Sequence, residues 1–419
     1  MDPQSQSQSQ SQSQAQAKAK AKAKAQAQSP AGPQSQLQPQ SKYRSQQDLP
    51  RFTAAAVQAA PVFLDPDATV DKAVALIAEA AGNGARLVVF PEAFLPGYPY
   101  WNWTMNPVQG SPWFERLQRA SVDLDGPHVH ALRVAARRYG IVLVIGINER
   151  AAHSLGVLYN TLLTIGTEGE LLGVHRKLVP TWAEKLTWTG GDGSSLRVHR
   201  TPVGPLGALA CGENTNTLAR FTLLAQGELV HASCYIALPV APADYDMAEA
   251  IAVRTAAHSF EGKVFSVVAC STISPEIVDA VAGDDEEVRA LFARPRSALS
   301  GIFGPDGRPV TEPLVDVEGI VYGEIDLARC IRPKQMHDIT GHYNRFDVFR
   351  LEVDNRPRQP VTFTAPLSAS PSEYPSGPLP GPLPGPLPEA LSEALSGPLP
   401  AALSTPLSGP LDTAPEEDA

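Results

Sequence analysis

Residues 128–148, HVHALRVAARRYGIVLVIGIN, and residues 159–175, YNTLLTIGTEGELLGVH, decide how this chain folds. His128 to Tyr139 reads as a helix. Gly140 to Asn148 is apolar and β-branched, the composition of a central strand buried on both faces. Tyr159 to Thr167 then pairs with Leu171 to His175 across a Glu168-Gly169 hairpin turn. A helix, a buried strand and a hairpin in succession predict an α/β protein whose sheets are mixed.

The same alternation extends in both directions. Upstream, Phe52 to Val62 reads as a strand. Asp67 to Ala81 is a helix with Val70, Val74 and Ile77 on one face. Leu87 to Phe90 is a short buried strand ending at Pro91. Downstream, strands are expected at Gly207 to Ala210, Leu229 to Ile236, Val264 to Ser271, Ser300 to Phe303 and Gly319 to Ile325. Helices are expected at Thr215 to Gln226 and Met247 to Glu261. No glycine-rich phosphate loop occurs, which argues against nucleotide binding.

Outside this region the composition changes. Residues 1–49 alternate Ser with Gln and then Ala with Lys, and residues 357–419 repeat Pro, Leu, Gly and Ser. Neither stretch can bury enough apolar surface to order itself, so both are expected to be disordered tails. The core lies between them, with domain limits at residues 50–356. The 419 residues are 43% hydrophobic and 19% charged with a net charge of −10, a balance that suits a soluble globular protein and disfavours nucleic acid as a partner. An apolar run long enough for a membrane span and an N-terminal apolar segment typical of secretion are both missing, so a cytoplasmic location and no membrane partner are expected. The four cysteines, Cys211, Cys234, Cys270 and Cys330, follow no metal-ligand spacing and no disulfide framework.

Three segments can carry chemistry. Glu92, in Phe90-Pro91-Glu92-Ala93-Phe94, follows a buried strand, and an apolar setting would raise its pKa toward that of a general base. A loop carboxylate is more often simply solvated. In His175-Arg176-Lys177-Leu178 the two cations point to opposite sides of an extended strand, so one of them can face a site and stabilise negative charge. Basic triplets usually lie on a solvated surface. Cys211, in Ala210-Cys211-Gly212-Glu213-Asn214, ends a strand just before a helix. The helix N-terminus and a nearby lysine would give it thiolate character, and Gly212 would permit the sharp turn. A lone cysteine is otherwise an inert apolar residue, and Cys234, Cys270 and Cys330 are expected to be of that kind.

Together these segments resemble the nitrilase, or carbon–nitrogen hydrolase, superfamily. Lys177 lies 85 residues after Glu92, and Cys211 lies 34 after Lys177. The resemblance is closest to the true nitrilase branch, through His175-Arg176-Lys177-Leu178 continuing to Glu184 and Gly191-Asp192-Gly193-Ser194. Glu213, two residues after Cys211, and Gly341-His342-Tyr343-Asn344-Arg345-Phe346 strengthen it. Many nitrilases carry Trp after the nucleophile where this chain has Gly212.

The resemblance implies a four-layer α-β-β-α sandwich, a homodimer that builds higher oligomers or spirals, and no metal or cofactor. It implies that a nitrile becomes a carboxylic acid and ammonia. Cys211 would be the nucleophile, Glu92 the general base, Lys177 the anion stabiliser and Glu184 a second, positioning carboxylate. Tyr98, Trp188 and Gly212 would line the substrate pocket. An amidase or carbamoylase of the same superfamily would use the same three groups. A non-catalytic scaffold presenting the proline-rich tail is the alternative outside enzymology.

Overall fold

The computed structural model describes residues 49–358. The expectations for the arm and the repetitive tail fall, apart from their inner ends, outside these residues. In chain order the elements begin with β1 (Arg51–Gln58), α1 (Pro66–Gly82), β2 (Ala85–Val89), α2 (Trp101–Thr104), α3 (Pro107–Ala120) and α4 (Pro127–Tyr139). Then come β3 (Val142–Arg150), β4 (Leu158–Ile165), β5 (Leu171–Arg176), β6 (His199–Thr201), β7 (Gly204–Ala210), α5 (Thr217–Ala225) and β8 (Val230–Tyr235). The chain continues through α6 (Met247–Gly262), β9 (Phe265–Cys270), α7 (Pro275–Ala282), α8 (Glu286–Phe292) and β10 (Leu299–Phe303). It closes with β11 (Leu314–Val315), β12 (Gly319–Asp326) and α9 (Ile331–Met336).

The strands form two six-stranded mixed sheets, ordered β12-β1-β2-β3-β4-β5 and β11-β10-β9-β8-β7-β6. Side-chain parity explains why the sheets stack. In β1, Ala55 and Val57 pack with the outer core that holds Val70, Val74 and Ile77 of α1 and Val129 and Leu132 of α4. Ala54 and Ala56 face the other way, into a core shared with Val230, Ala232, Phe265 and Val267 of the second sheet. The same alternation splits β3, with Leu143 and Ile145 outward and Val142 and Val144 inward. Strands apolar at every position therefore fill two cores at once. On the far side of the second sheet, Met247, Ala248 and Ile251 of α6 cover Tyr235, Val268 and Cys270. The result is the expected α-β-β-α sandwich.

Several boundaries move for local reasons. β1 stops at Gln58 instead of running to Val62, because the Ala60 amide bonds the Glu318 carboxylate (2.7 Å) and Pro61 has no donor to give. The helix expected from Thr215 begins at Thr217, where Asn216 caps the amides of Leu218 and Ala219. A 3-10 turn, Cys211–Thr215, precedes it. The sequence reading placed no helix at α2, α3, α7, α8 or α9. In α3, Pro107 and Pro112 look like breakers, yet Pro107 occupies the first turn after an Asn106 capping box. Ser274 and Asp285 cap α7 and α8 in the same manner.

Phe265 is fully buried between the sheets. Replacing it with Ala should cost about 3–5 kcal/mol, read as a lower urea midpoint at unchanged slope. A loss under about 1 kcal/mol would mean the inner core does not depend on this ring.

Candidate active site

Three strand ends meet around one buried ammonium. Glu92 follows β2, Lys177 follows β5 and Cys211 follows β7, so the first sheet supplies two groups and the second supplies one. The Glu92 loop lies directly on β3. A Cβ at Gly146 would sit 2.4 Å from the Ala93 nitrogen and 2.5 Å from the Pro91 oxygen, so only glycine fits there. The Pro91 carbonyl accepts from the Gly146 amide (3.0 Å), and the Glu92 amide reaches across to Tyr235 O of the second sheet (3.3 Å).

Lys177 Nζ donates to Glu92 Oε1 (2.7 Å) and to Glu184 Oε2 (2.7 Å), with all three groups buried. As the strand argument required, Arg176 turns the opposite way and pairs with Glu149 (2.5 Å). Asn160 of β4 also donates to Glu92 Oε1 (2.5 Å), while Glu92 Oε2 is buried without a hydrogen-bond partner. Glu184 lies in a 3-10 turn, Trp182–Leu186, where its Oε2 accepts from the Thr181 amide (2.6 Å) and its Oε1 from Tyr98 OH (3.0 Å).

Charge states follow from this packing. Burial lifts the Glu92 carboxyl to about 7, against the pull of Lys177 and with the help of Glu184's charge. Burial also opposes the Lys177 ammonium, but Glu184 and Glu92 override it and hold the amine protonated well above its ordinary range. Burial and the Glu92 charge push the Cys211 thiol upward, and Lys177 offsets only part of that rise. The thiolate character expected from a helix N-terminus is therefore corrected. The thiol is buried beside carboxylates, and it opens a five-residue 3-10 turn instead of an α-helix. The sharp turn also falls on Cys211 itself (φ 43°), and Gly212 is not the residue with positive φ.

The remaining expected residues occupy distinct places. Tyr98 and Trp188 meet edge to face (5.5 Å) in an aromatic cluster behind Glu184. The Trp188 indole donates to Asn148 (2.9 Å). Gly212 abuts Thr181, whose Oγ1 would lie 2.9 Å from an added Cβ. A surface pocket of about 350 Å³, lined by Trp101, Asn102, Phe114, Lys185 and Trp188, contains none of Glu92, Lys177 and Cys211. The segment from Gly341 to Phe349 lies at the surface, with Tyr343, Phe346, Val348 and Phe349 exposed.

A second buried ion pair fastens the lysine loop to the cysteine strand. Glu213 Oε1 accepts from the Leu178 amide (2.7 Å), and its Oε2 accepts from Ala210 N (3.0 Å) and His175 Nε2 (3.0 Å). Ser195 Oγ gives its proton to Asp192 O and accepts from His175 Nδ1 (3.0 Å), so His175 donates from both nitrogens. Burial disfavours both charges. Glu213 nevertheless holds the His175 pKa up, and His175 holds Glu213 down. Reasoning from the sequence missed His175 and Asn160 as site residues and used Glu213 only for resemblance. A polar residue inside apolar β4 was the available signal for Asn160.

Among the described residues, Glu228, His231 and His258 bring donor atoms of metal-ligand type within 4.8 Å of one another. Those atoms are spent on each other, His231 Nδ1 on Glu228 Oε1 (2.7 Å) and His258 Nε2 on Glu228 Oε2 (3.0 Å).

A buried Glu-Lys-Glu cluster therefore sits beside a cysteine at positive φ, at the meeting of two stacked sheets. The family profile described as carbon-nitrogen hydrolase matches residues 53–335. An aliphatic nitrilase of Rhodococcus rhodochrous is 40% identical over 316 residues, 74% of this chain and 84% of the relative. A nitrilase of Paraburkholderia phymatum is 38% identical, covering 76% and 90%. The fold is shared with a carbon–nitrogen hydrolase of Helicobacter pylori (TM-score 0.53, 20% identity, 69% of this chain and 94% of that one). It is shared too with the NitFhit protein of C. elegans (TM-score 0.56, 18% identity, 74% and 69%). The chain belongs to the carbon–nitrogen hydrolase family, in its nitrilase branch.

Glu213→Gln should destabilise the fold by about 3–5 kcal/mol, because it strands a buried His175 charge. His175 is raised above its ordinary 6.5 and Glu213 depressed below its ordinary 4.5, so the pair stabilises fully between those two pH values. The difference between wild type and variant should shrink as pH rises through the raised His175 pKa, and again as pH falls through the depressed Glu213 pKa. Urea titrations across that range would read it, and a pH-independent difference would contradict the ion pair.

Proposed function

We propose that this protein hydrolyses an organic nitrile to its carboxylic acid and ammonia through a covalent cysteine intermediate. The observation that carries the reading is the Lys177 ammonium, buried 2.7 Å from both Glu92 and Glu184 beside the Cys211 turn. The nitrilase relatives support a nitrile as substrate.

Because burial keeps the resting thiol protonated, attack needs a base at hand. Glu92, lifted to about 7 and with Oε2 unpartnered, is suited to take that proton. Cys211 Sγ adds to the nitrile carbon as the nitrile nitrogen gains a proton, giving a thioimidate. Lys177 stabilises the developing anion. Water adds next with Glu92 as base, the carbon–nitrogen bond breaks, ammonia leaves and a thioester remains. A second water releases the acid and returns the proton to Sγ. Glu184 holds Lys177 in place. Tyr98 and Trp188 act by fixing Glu184 and the wall behind it, and Gly212 lines the site beside Thr181, where an added Cβ would lie 2.9 Å from its Oγ1.

The catalytic unit spans residues 50–356, and the segments 1–49 and 357–419 take no part in the chemistry. Assembly into homodimers and larger homo-oligomers belongs to the same proposal, supported by the exposed Phe346, Val348 and Phe349. So does a cytoplasmic location, which suits four free, buried cysteines.

Ammonia release from a nitrile panel and the matching amides tests the reaction. Acid and ammonia from nitriles are expected, whereas turnover of amides alone would move the chain to the amidase branch. Cys211→Ala should lower kcat by roughly 10⁴-fold or more, and Glu92→Gln and Lys177→Ala should fall severely as well. Wild-type kcat/KM should rise with pH through about 7, as Glu92 loses its proton in the free enzyme. A flat profile there would remove Glu92 as the base. A chain trimmed to residues 50–356 should keep the wild-type kcat, and a folded but inactive product would refute the proposed limits.

A further inference from the structure

Directly beneath the nucleophile turn lies a buried polar chain that the reaction steps do not use. Asn214 Nδ2 donates to Leu209 O (3.2 Å) and Cys211 O (3.1 Å), bracketing the residue with positive φ. These two carbonyls fix the amide, since the opposite orientation would turn its oxygen toward two acceptors. Asn214 Oδ1 then faces the second sheet, where it meets His231 Nε2 (2.8 Å) and Ser233 Oγ (3.1 Å). His231 Nε2 must therefore carry a proton.

The other nitrogen of the ring is equally constrained. His231 Nδ1 lies 2.7 Å from Glu228 Oε1. Burial opposes ionisation of Glu228, but His231 and His258 override it and hold the carboxyl down at about 2. The Nδ1 contact to Glu228 therefore fixes the ring on its second side. His258 contributes a single donor, Nε2 to Glu228 Oε2 (3.0 Å), while its Nδ1 is buried without a partner. Burial and the neighbouring His231 push the His258 pKa to about 4, so this second ring is neutral at neutral pH. Glu228 itself is held against β7, where its Oε1 would be 2.0 Å from a Cβ at Gly207.

We propose that His231 is a positioning residue for the nucleophile: hydrogen-bonded between Glu228 and Asn214, it locks Asn214 and so holds the backbone of the Cys211 turn. The proposal rests on the reading of Cys211 as nucleophile. In this network the buried side-chain hydrogen bonds converge where a cysteine must be kept at φ 43°.

The first test uses the wild-type enzyme with nitrogen-15 in its histidine rings. His231 Nε2 should give a protonated signal, assigned by its loss in His231→Gln. An unprotonated Nε2, or the signal of a metal-bound one, would overturn the proposal whatever the activity. The second test is kinetic. Asn214→Asp keeps the acceptor for His231 but turns an oxygen toward the two carbonyls. It should lower kcat per titrated thiol by roughly 10- to 100-fold, by analogy with outer-shell partners of metal ligands. KM should stay within about twofold, and Cys211 alkylation should slow in parallel. An unchanged kcat per active thiol, with only the folded fraction reduced, would reduce the network to a structural role and overturn it. Activity surviving in Cys211→Ala would instead sink the nucleophile assignment, with the His231 ring signals still deciding its protonation.

Discussion

Placing an ammonium where no water can reach it is costly, and the Lys177 side chain is among the largest fully buried ones in the described protein. Two carboxylates, each 2.7 Å away, make that burial possible. Removing the lysine would leave two buried carboxylates without their counter-ion, a strongly destabilising change. The carboxylates pull in opposite structural directions. Glu184 arrives on a short 3-10 turn seven residues after the lysine, and Glu92 comes from β2 on the far side of β3 and β4 in the same sheet. The cluster can form only when the strand order is complete, so the fold and the charge balance enforce each other.

A surplus of negative charge in the cluster shapes the chemistry. One ammonium shared by two carboxylates cannot also hold a thiolate at rest, and the Cys211 thiol is accordingly pushed up. The raised Glu92 pKa follows from the same crowding and makes that residue a competent proton acceptor near neutral pH. In the proposed mechanism the surroundings therefore keep the Cys211 thiol protonated at rest and bring Glu92 near the pH at which it can take that proton. Two histidine–glutamate pairs, His175 with Glu213 and His231 with Glu228, frame the site at its lysine and cysteine ends. Glu213 holds the backbone amides of Leu178 and Ala210 directly, and His231 reaches the Cys211 turn through the side chain of Asn214.

Much of this arrangement was legible in the sequence. The apolar strands of residues 140–148 and 87–90, and the hairpin at Glu168-Gly169, specify a mixed α/β fold through periodicity alone. Glu92, Lys177 and Cys211 stand out because each follows an apolar strand. The family resemblance supplied the second sheet, which periodicity does not reveal, since an all-apolar strand does not say what covers its second face. What was not legible depends on three dimensions. Asn160 meets Glu92 across 68 residues of chain, and His231 meets Asn214 across the β7–β8 pairing. The helices α3, α7 and α8 were hidden because proline and acidic residues at a helix start look the same as turn residues until the cap is seen. The thiol expectation failed because a helix-dipole argument reads only the local chain, whereas burial and two carboxylates arrive from elsewhere.

The division of the site between two sheets has an operational consequence. Glu92 and Lys177 ride on one sheet and Cys211 on the other, joined through apolar side chains and a few hydrogen bonds such as Glu92 N to Tyr235 O. Each sheet can keep all its ladder bonds while sliding slightly over its neighbour, because apolar contact is not directional. Such a slip would leave the secondary structure intact and move Cys211 relative to Glu92 and Lys177. The geometry of the site is therefore set by the seam between the layers as much as by either layer, and a probe of strand and helix content alone would not register its loss.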